Sequence, residues 1–361
     1  MQKLELRVGS VVEAEVIDLG FGGEGVARYE GMVIFVPFVA VGDRVLIKIT
    51  QSKKHFYRGF VMEMLNASED REEPVCEYFG LCGGCDYQHI TYEAELEIKS
   101  KQIRDLLKRI GEVSHIRFLP FIRADSPYGY RNRVTVHQQD WRIGFHGKDS
   151  RDVVDIDKCQ IASDEVNEKL AYLRGRPGNR EHYSLRGSNI PELGFFQTNQ
   201  FLLKRLRDLV RGAVDHRMKS MVEGYSGVGF FSEVLQDEVE DLVTIESDVR
   251  AVLDAQKRVS RRVKLLEGSC EQYLEKAFRI CDQHPVGCFL DPPREGLSDE
   301  LIEKLLRLDF QQLIYLSCNP STLARDLRKM QGFWMPLWLQ PIDMFPRTAH
   351  IECLVVCERI N

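Results

Sequence analysis

The sequence predicts an α/β protein with a parallel sheet in its C-terminal half and a small all-β unit at its start. Three observations carry that expectation. From about residue 195, helical stretches alternate with apolar strands, which signals a parallel sheet. Within that half, "SMVEGYSGVGFFSEVL" (220 to 235) reads as a strand, a glycine-containing turn and a helix. Residues 8 to 64 instead read as short alternating strands broken by Gly-rich or Gly-Asp turns such as "GFGGEG".

A chain of 361 residues is long for one core and implies two or three domains. Its 43% hydrophobic and 29% charged content is that of an ordinary soluble globular protein. No apolar stretch is long enough to span a bilayer, and the opening "MQKLELRVGS" has no signal-peptide core, so a cytoplasmic location and no membrane partner are expected. In that reducing setting the ten cysteines are not read as a disulfide framework, and clustered ones point to metal or catalysis. A net charge of −6 argues against indiscriminate nucleic-acid binding while leaving room for a local basic face.

Five short strands in the first 65 residues suggest a closed barrel of the OB type, a fold that commonly carries nucleic acid. Lys53, Lys54, His55, Phe56, Tyr57 and Arg58 favour the binding role, since cations hold phosphates and rings stack on bases. The stretch resembles the TRAM domain of RNA-modifying enzymes. "NASEDREEP" (66 to 74) is a polar linker, and a cysteine cluster follows it. Residues 91 to 111 are strongly helical, with Gly111 as the expected stop. Residues 120 to 190 are mixed and rich in arginine, including Arg123, Arg131, Arg133 and Arg142.

"CEYFGLCGGCDYQH" spaces Cys76, Cys82 and Cys85 as C-x5-C-x2-C in a glycine-rich loop. Thiols so close in a reducing compartment are usually gathered by a metal. Cys159, in "VDIDKCQIA", is the best distant fourth because it follows an acidic, exposed stretch. Zinc more often shows two paired CxxC units, whereas iron–sulfur clusters accept three close cysteines and a remote fourth, so iron–sulfur is preferred and zinc remains the alternative. Cys270, Cys281, Cys288, Cys353 and Cys357 lie singly in apolar or helical contexts and read as core.

In the C-terminal half, Gly227 and Gly229 let the backbone approach a ligand, and Glu246 ends the next strand where an acidic side chain accepts from a ribose diol. A third glycine at the dinucleotide spacing is missing, Ser232 standing in its place, which weakens a nicotinamide-cofactor reading. Asp-Pro-Pro after the fourth strand and a closing two-strand hairpin complete the pattern of a Rossmann-like methyltransferase sheet. In that order Asp291 and Cys318 lie at the carboxyl ends of adjacent parallel strands, and the antiparallel last strand brings Glu352 to the same edge. Asn319 as N-cap and Pro320 as first helical residue place Cys318 at a helix start, where the dipole and free amides favour a thiolate. A thiolate that adds to carbon 6 of a pyrimidine makes carbon 5 nucleophilic toward a sulfonium methyl group, and a carboxylate such as Glu352 must then remove the carbon 5 proton.

On "CEYFGLCGGC" with Cys159, "FFQTNQFL", "GYSGVGFFS", "DPPREGL", "SCNPSTLARDL" and "DMFPRTAHIE", the chain resembles an RNA 5-methyluridine methyltransferase of the iron–sulfur, TRAM-containing, 23S rRNA-modifying type. The resemblance implies Cys318 as nucleophile and Glu352 as proton acceptor. It implies Gln197, Tyr225, Glu246 and Asp291 as S-adenosylmethionine contacts, and Cys76, Cys82, Cys85 and Cys159 as ligands of a 4Fe-4S cluster. The domains it implies are a barrel at 1–65, a cluster domain at 66–90 and 120–190, and a class I methyltransferase domain at 91–119 and 191–361. The partner it implies is RNA offering a splayed uridine, in 23S rRNA or alternatively tRNA, to a monomeric enzyme. The pattern departs at Ser226, where the family usually has Cys, at Phe230, often Asn or Thr, and at Arg347, commonly His. The basic run "KRLRDLVRGAVDHRMK" (204 to 219) is a further candidate for tracking phosphates. An amino-group methyltransferase also carries Asp-Pro-Pro, but it expects an aromatic residue after the prolines where Arg294 stands. A non-catalytic RNA-binding scaffold would have no need to retain Cys318, Glu352 and Asp291 together.

Overall fold

The computed structural model describes residues 6–176, 178, 180–188, 190 and 196–360. The expected boundary between 190 and 191, and Phe195 of "FFQTNQFL", fall at or among residues outside that set. Strands β1 (Val11–Leu19), β2 (Gly25–Tyr29), β3 (Met32–Val36), β4 (Arg44–Ser52) and β5 (Phe56–Asn66) close a barrel in the order β1-β2-β3-β5-β4. Val12, Ala14 and Val16 of β1 point inward while Glu13, Glu15 and Ile17 face out, the period of two that made the strand legible. Glu30 and Gly31 both take positive φ, which a two-residue turn between twisted strands requires. The basic and aromatic cluster is divided by the same alternation. Lys53, Lys54 and His55 are exposed at the β4–β5 turn, whereas Tyr57 is barrel core and Arg58 pairs with Glu24.

The polar linker is fastened to the barrel. Arg71 forms an ion pair of 2.7 Å with the fully buried Asp43 and also donates to the carbonyl of Phe38. Helix α1 (Tyr92–Arg109) starts on the Thr91 cap, which accepts from the Ala94 N–H. The expected stop at Gly111 has a different physical basis: Glu112, at φ +52°, is the left-handed residue. Gly111 is needed for room, because a Cβ there would stand 2.8 Å from the Leu107 carbonyl and 3.2 Å from that of Ala324. The two-residue strand β6 (Arg117–Phe118) follows.

Strands β7 (Arg133–Gln139), β8 (Arg142–His146), β9 (Val153–Asp155) and β10 (His182–Arg186) make an antiparallel sheet ordered β10-β7-β8-β9. Helix α2 (Asp164–Gly175) covers one face through Val166 and Leu170.

The remaining elements are α3 (Leu203–Ala213), β11 (Ser220–Gly224), α4 (Ser232–Leu235), β12 (Asp241–Glu246), α5 (Val249–Ala255), β13 (Lys264–Glu267), α6 (Cys270–Arg279), β14 (Val286–Leu290), α7 (Asp299–Arg307), β15 (Gln312–Ser317), α8 (Pro320–Lys329), β16 (Trp334–Ile342) and β17 (Glu352–Arg359). Their sheet has the order β13-β12-β11-β14-β15-β17-β16-β6, parallel from β13 to β15, with β17 antiparallel between β15 and β16. β11, β14 and β15 are buried along their whole length, which is why they read as unbroken apolar runs. One face packs on α1, α6, α7 and α8 through Ile103, Leu274, Leu301 and Leu323, the other on α3 and α4 through Leu206 and Leu235. The five lone cysteines are buried, as the sequence predicts. The basic charges of α3 are largely paired, Arg207 with Glu233 and Arg211 with Glu238, so that helix is a solvated face with satisfied cations. Among the described residues no helix is long and apolar enough to cross a membrane.

Candidate active site

One row of residues across the sheet, Ile245–Gly224–Leu290–Tyr315, sets the level of the site. The next residue on the first three strands is Glu246, Tyr225 and Asp291, so these side chains leave the sheet together. Ser317 pairs with Cys353 on the antiparallel β17, and continuing that register brings Cys318 opposite Glu352. Gln197 joins them, its Nε2 3.4 Å from Asp291 Oδ2, while Asn132 Nδ2 donates to the Gln197 carbonyl at 2.9 Å. The catalytic and nucleotide candidates thus occupy one edge of one sheet.

The glycine turn is shaped for a polar guest. Tyr225, Gly227 and Gly229 take φ of +61°, +54° and +79°, the first a strained value for a bulky side chain. Gly227 donates its N–H to Glu246 Oε2 at 2.8 Å, and Asp248 donates to Oε1 at 2.7 Å, which fixes the carboxylate beside the turn. Glu223 is fully buried with neither oxygen hydrogen-bonded, and the hydroxyls of Ser226 and Ser232 are likewise buried without partners. Burial, against the lowering influence of Ser232 close by and with Asp291 and Glu246 adding to it, pushes the Glu223 carboxyl up to about 8; Ser232 is near enough to be felt but not in hydrogen-bonding geometry. Four orphaned polar atoms around one turn are costly unless something meets them. Sequence reasoning left Glu223 out of the site, although an acidic residue closing the apolar "SMV" was its signal. Phe230 packs edge-on against Phe196 and Phe231 and belongs to the core.

The environment of Cys318 corrects one expectation. Burial, and then Glu352 and Asp291, push its thiol up to about 12, with Arg294 opposing them. The helix start does not supply the expected amides: Pro320 has no N–H, and the N–H of Ser321 is taken by the Asn319 side chain at 3.1 Å. Of the first two residues of α8, one therefore has no amide and the other has its amide occupied, which weakens the support for a thiolate. Burial raises Asp291 to about 7, and burial with the charge of Asp291 raises Glu352 well above the carboxylate range. Among the described residues Arg294 makes no side-chain ion pair, and its charge opposes the rise at both Cys318 and Glu352.

Cys76, Cys82, Cys85 and Cys159 line one cavity, walled by Phe79, Val134, Phe145 and Ile156. Burial raises all four thiols, Cys82 to about 11. The charge of Cys76 would add to the rise at each of the other three, as expected of groups around one space. Among the described residues no three His, Cys, Asp or Glu side chains converge closely enough to hold a single metal ion.

A parallel sheet in this order, with a glycine turn facing an acidic strand end, is the layout of a class I methyltransferase-like, Rossmann-type fold. Residues 186–360 match the tRNA (Uracil-5-)-methyltransferase family, and residues 5–62 match the TRAM domain. The chain thus carries a uracil-5-methyltransferase family domain over its C-terminal part, behind a TRAM domain. Uncharacterized RNA methyltransferases of Synechocystis sp. and Bdellovibrio bacteriovorus are 28% and 29% identical to it. Those matches cover 98% and 96% of this chain and 96% and 95% of theirs. The solved structure of Pyrococcus abyssi tRNA (uracil-54, C5)-methyltransferase in complex with S-adenosyl-L-homocysteine aligns with a TM-score of 0.71, over 96% of this chain and all of that one. At 22% identity that likeness is one of fold.

Proposed function

We propose that the protein methylates carbon 5 of one uridine in RNA through a covalent adduct between Cys318 and carbon 6, with S-adenosylmethionine as methyl donor. The single observation that carries this reading is the register that brings Cys318 opposite Glu352 beside Asp291. The donor fits the glycine turn: the unpaired Glu223 carboxylate suits an ammonium group, Glu246 suits a ribose diol, and Tyr225, Gln197 and Asp291 border the same space. When bound, the donor supplies a methyl group on a positively charged sulfur.

Cys318, after its proton has passed to a neighbouring carboxylate, adds through Sγ to carbon 6. Electron density moves to carbon 5, which bonds to the methyl group as the carbon–sulfur bond of the donor breaks with its pair kept on sulfur. Glu352 then takes the proton from carbon 5, the pair restores the 5,6 double bond, and Cys318 leaves as thiolate. Burial makes Glu352 a strong proton acceptor once ionised, and Arg294 offsets the negative charge that forms between Cys318 and Glu352.

The four cysteines fit a 4Fe-4S cluster. Four thiols and apolar walls match its donor set, and Arg131 and Lys158, which also line the cavity, offset its negative charge. Three close cysteines and a remote fourth suit a cluster more than zinc, which more often shows two paired CxxC units. The domain division at 1–65, 66–90 with 120–190, and 91–119 with 191–361 belongs to this reading. It is supported by the packing of α1 on α8 and by the addition of β6 to the large sheet. So do a cytoplasmic location and action as a monomer.

Ribosomal RNA is the preferred substrate, by resemblance of the barrel and cysteine loop. tRNA is a second reading, favoured by the fold-level likeness to the Pyrococcus abyssi enzyme. RNA carrying 5-fluorouridine, incubated with enzyme and S-adenosylmethionine, should give a covalent complex at Cys318 that is lost in Cys318→Ala. Absence of any complex would sink the proposal. Methylation of 23S rRNA against tRNA transcripts, with mapping of the 5-methyluridine formed, decides between the two substrates.

A further inference from the structure

The loop joining β16 to β17 spans residues 343–351, and Ile342 pairs with Glu352 across its mouth. Glu352 is therefore the residue at which the loop re-enters the sheet, and its side chain stands beside the loop. The shape of the loop is imposed by other segments, most closely by the residues that follow Cys85. The Arg347 carbonyl accepts from the backbone N–H of Asp86 at 2.8 Å and of Tyr87 at 3.1 Å. Asp86 Oδ2 accepts from the Ala349 N–H at 2.9 Å, and its Oδ1 is held by Lys148 Nζ at 2.7 Å. Arg347 sits at φ +67° with its side chain 3% exposed. Its guanidinium donates to the Ile90 carbonyl at 2.8 Å and pairs with Glu72 at 2.9 Å.

A left-handed, buried, ion-paired arginine does not hold such a conformation by itself; its surroundings impose it. Here they lie on both sides of the cysteine loop, Glu72 before it and Asp86 to Ile90 after it. Lys148 follows Gly147, which forms a bridge with Cys82. The cysteine loop and the loop that carries the proton acceptor are thus one hydrogen-bonded unit.

We infer that Asp86 is a positioning residue for Glu352, and that through it the cysteine loop sets the proton-removal step of the reaction. This rests on the reading of Glu352 as the carbon 5 proton acceptor. The inference separates two steps that a general loss of structure would not. Addition of Cys318 and methyl transfer do not use Glu352 as a base; release of the methylated uridine does.

The test uses full-length Asp86→Ala and Asp86→Asn, the second keeping one oxygen for the Ala349 N–H while removing the charge that holds Lys148. Visible absorbance and donor binding are compared with wild type to show that fold and cysteine loop are intact. With 5-fluorouridine RNA, where no carbon 5 proton exists to remove, both variants should form the covalent complex at the wild-type rate. With ordinary uridine RNA, turnover of Asp86→Ala should fall about 10–100-fold, and a methylated protein–RNA complex should build up on denaturing gels. Asp86→Asn should recover part of the rate. Equal loss of complex formation and turnover, or no loss in either, overturns the inference, and Asp86→Asn decides the matter if Asp86→Ala loses its absorbance. Failure of the wild type to form a complex refutes the proposed chemistry itself and is seen before any variant is tested.

Discussion

The side-chain amide of Asn319 donates to the carbonyl of Arg294 at 3.1 Å, tying the loop after β14 to the start of α8. The residue that caps the helix beside Cys318 therefore also holds the cation that opposes the upward shift of Cys318 and Glu352. Cys318 needs an ionised carboxylate such as Asp291 to take its proton, and Glu352 must itself be ionised to act, so kcat/KM should rise with pH as Asp291, at about 7, and then Glu352 ionise. In Arg294→Gln the rise should move to higher pH by about one unit, with activity at neutral pH reduced. A pH–rate profile of the two enzymes reads this directly, and superimposable profiles would remove Arg294 from the mechanism.

Glu223 offers a case in which stability and binding should move in opposite directions. Its carboxyl is raised by burial from 4.5 to about 8, so the folded state holds a proton that the unfolded state releases. Stability on this account is highest below the unfolded value and declines as pH rises toward 8. Glu223→Gln removes that penalty, and Tm at pH 8 should increase by about 2–4 °C while calorimetry shows weaker S-adenosylmethionine binding. A variant with unchanged donor affinity would take Glu223 out of the donor site.

Replacing Cys82 or Cys159 by serine should remove iron, sulfide and visible colour from the purified protein together. The hydrophobic walls around the thiols, Val134 and Ile156 among them, belong to the core under α2, so proteolysis should quicken in residues 66–90 and 120–190. Stoichiometric zinc in a colourless wild-type protein would contradict the cluster reading.

The barrel should show its own acid sensitivity. Burial opposes ionisation of Asp43, but Arg71 and the N–H groups of Ala40 and Ser68 outweigh it and hold the carboxyl below its ordinary 3.8. The contribution is therefore complete above that value and lost as pH falls through the lower folded value. Arg71→Ala leaves a buried carboxylate alone and should cost the barrel about 3 kcal/mol, the low end because Arg71 is 22% exposed. Denaturant unfolding at pH 7 measures the cost, and it should shrink for the double variant Arg71→Ala/Asp43→Asn.

Strand type and order were legible because they rest on local pattern: the inward alternation of β1, the full burial of β11, β14 and β15, and the turn chemistry at Gly227. Cys318, Asp291 and Glu352 could be brought together from strand order alone. What could not be read depends on contacts between distant segments. Tyr57 lies in a basic, aromatic run but turns into the barrel because of its strand parity. Arg347 looks like a surface cation, and its burial needs Glu72, Glu95 and Ile90 placed around it. The upward shift of the Cys318 thiol comes from burial and from Glu352 and Asp291, which only the folded sheet brings around it.

Helix α1 has a consequence for how the chain is made. Its residues Ile103 and Leu107 belong to the core it shares with α8, and the Gly111 carbonyl at its end accepts from Gln331, 220 residues further along. At ordinary rates of translation the ribosome needs about 10–45 s to cover that distance. For that time the apolar side of α1 has emerged and its partner does not yet exist. The barrel and the small antiparallel sheet can close on either side of it, but α1 itself waits for roughly the last eighth of the protein, and in that interval it is a site at which a chaperone can hold the unfinished chain.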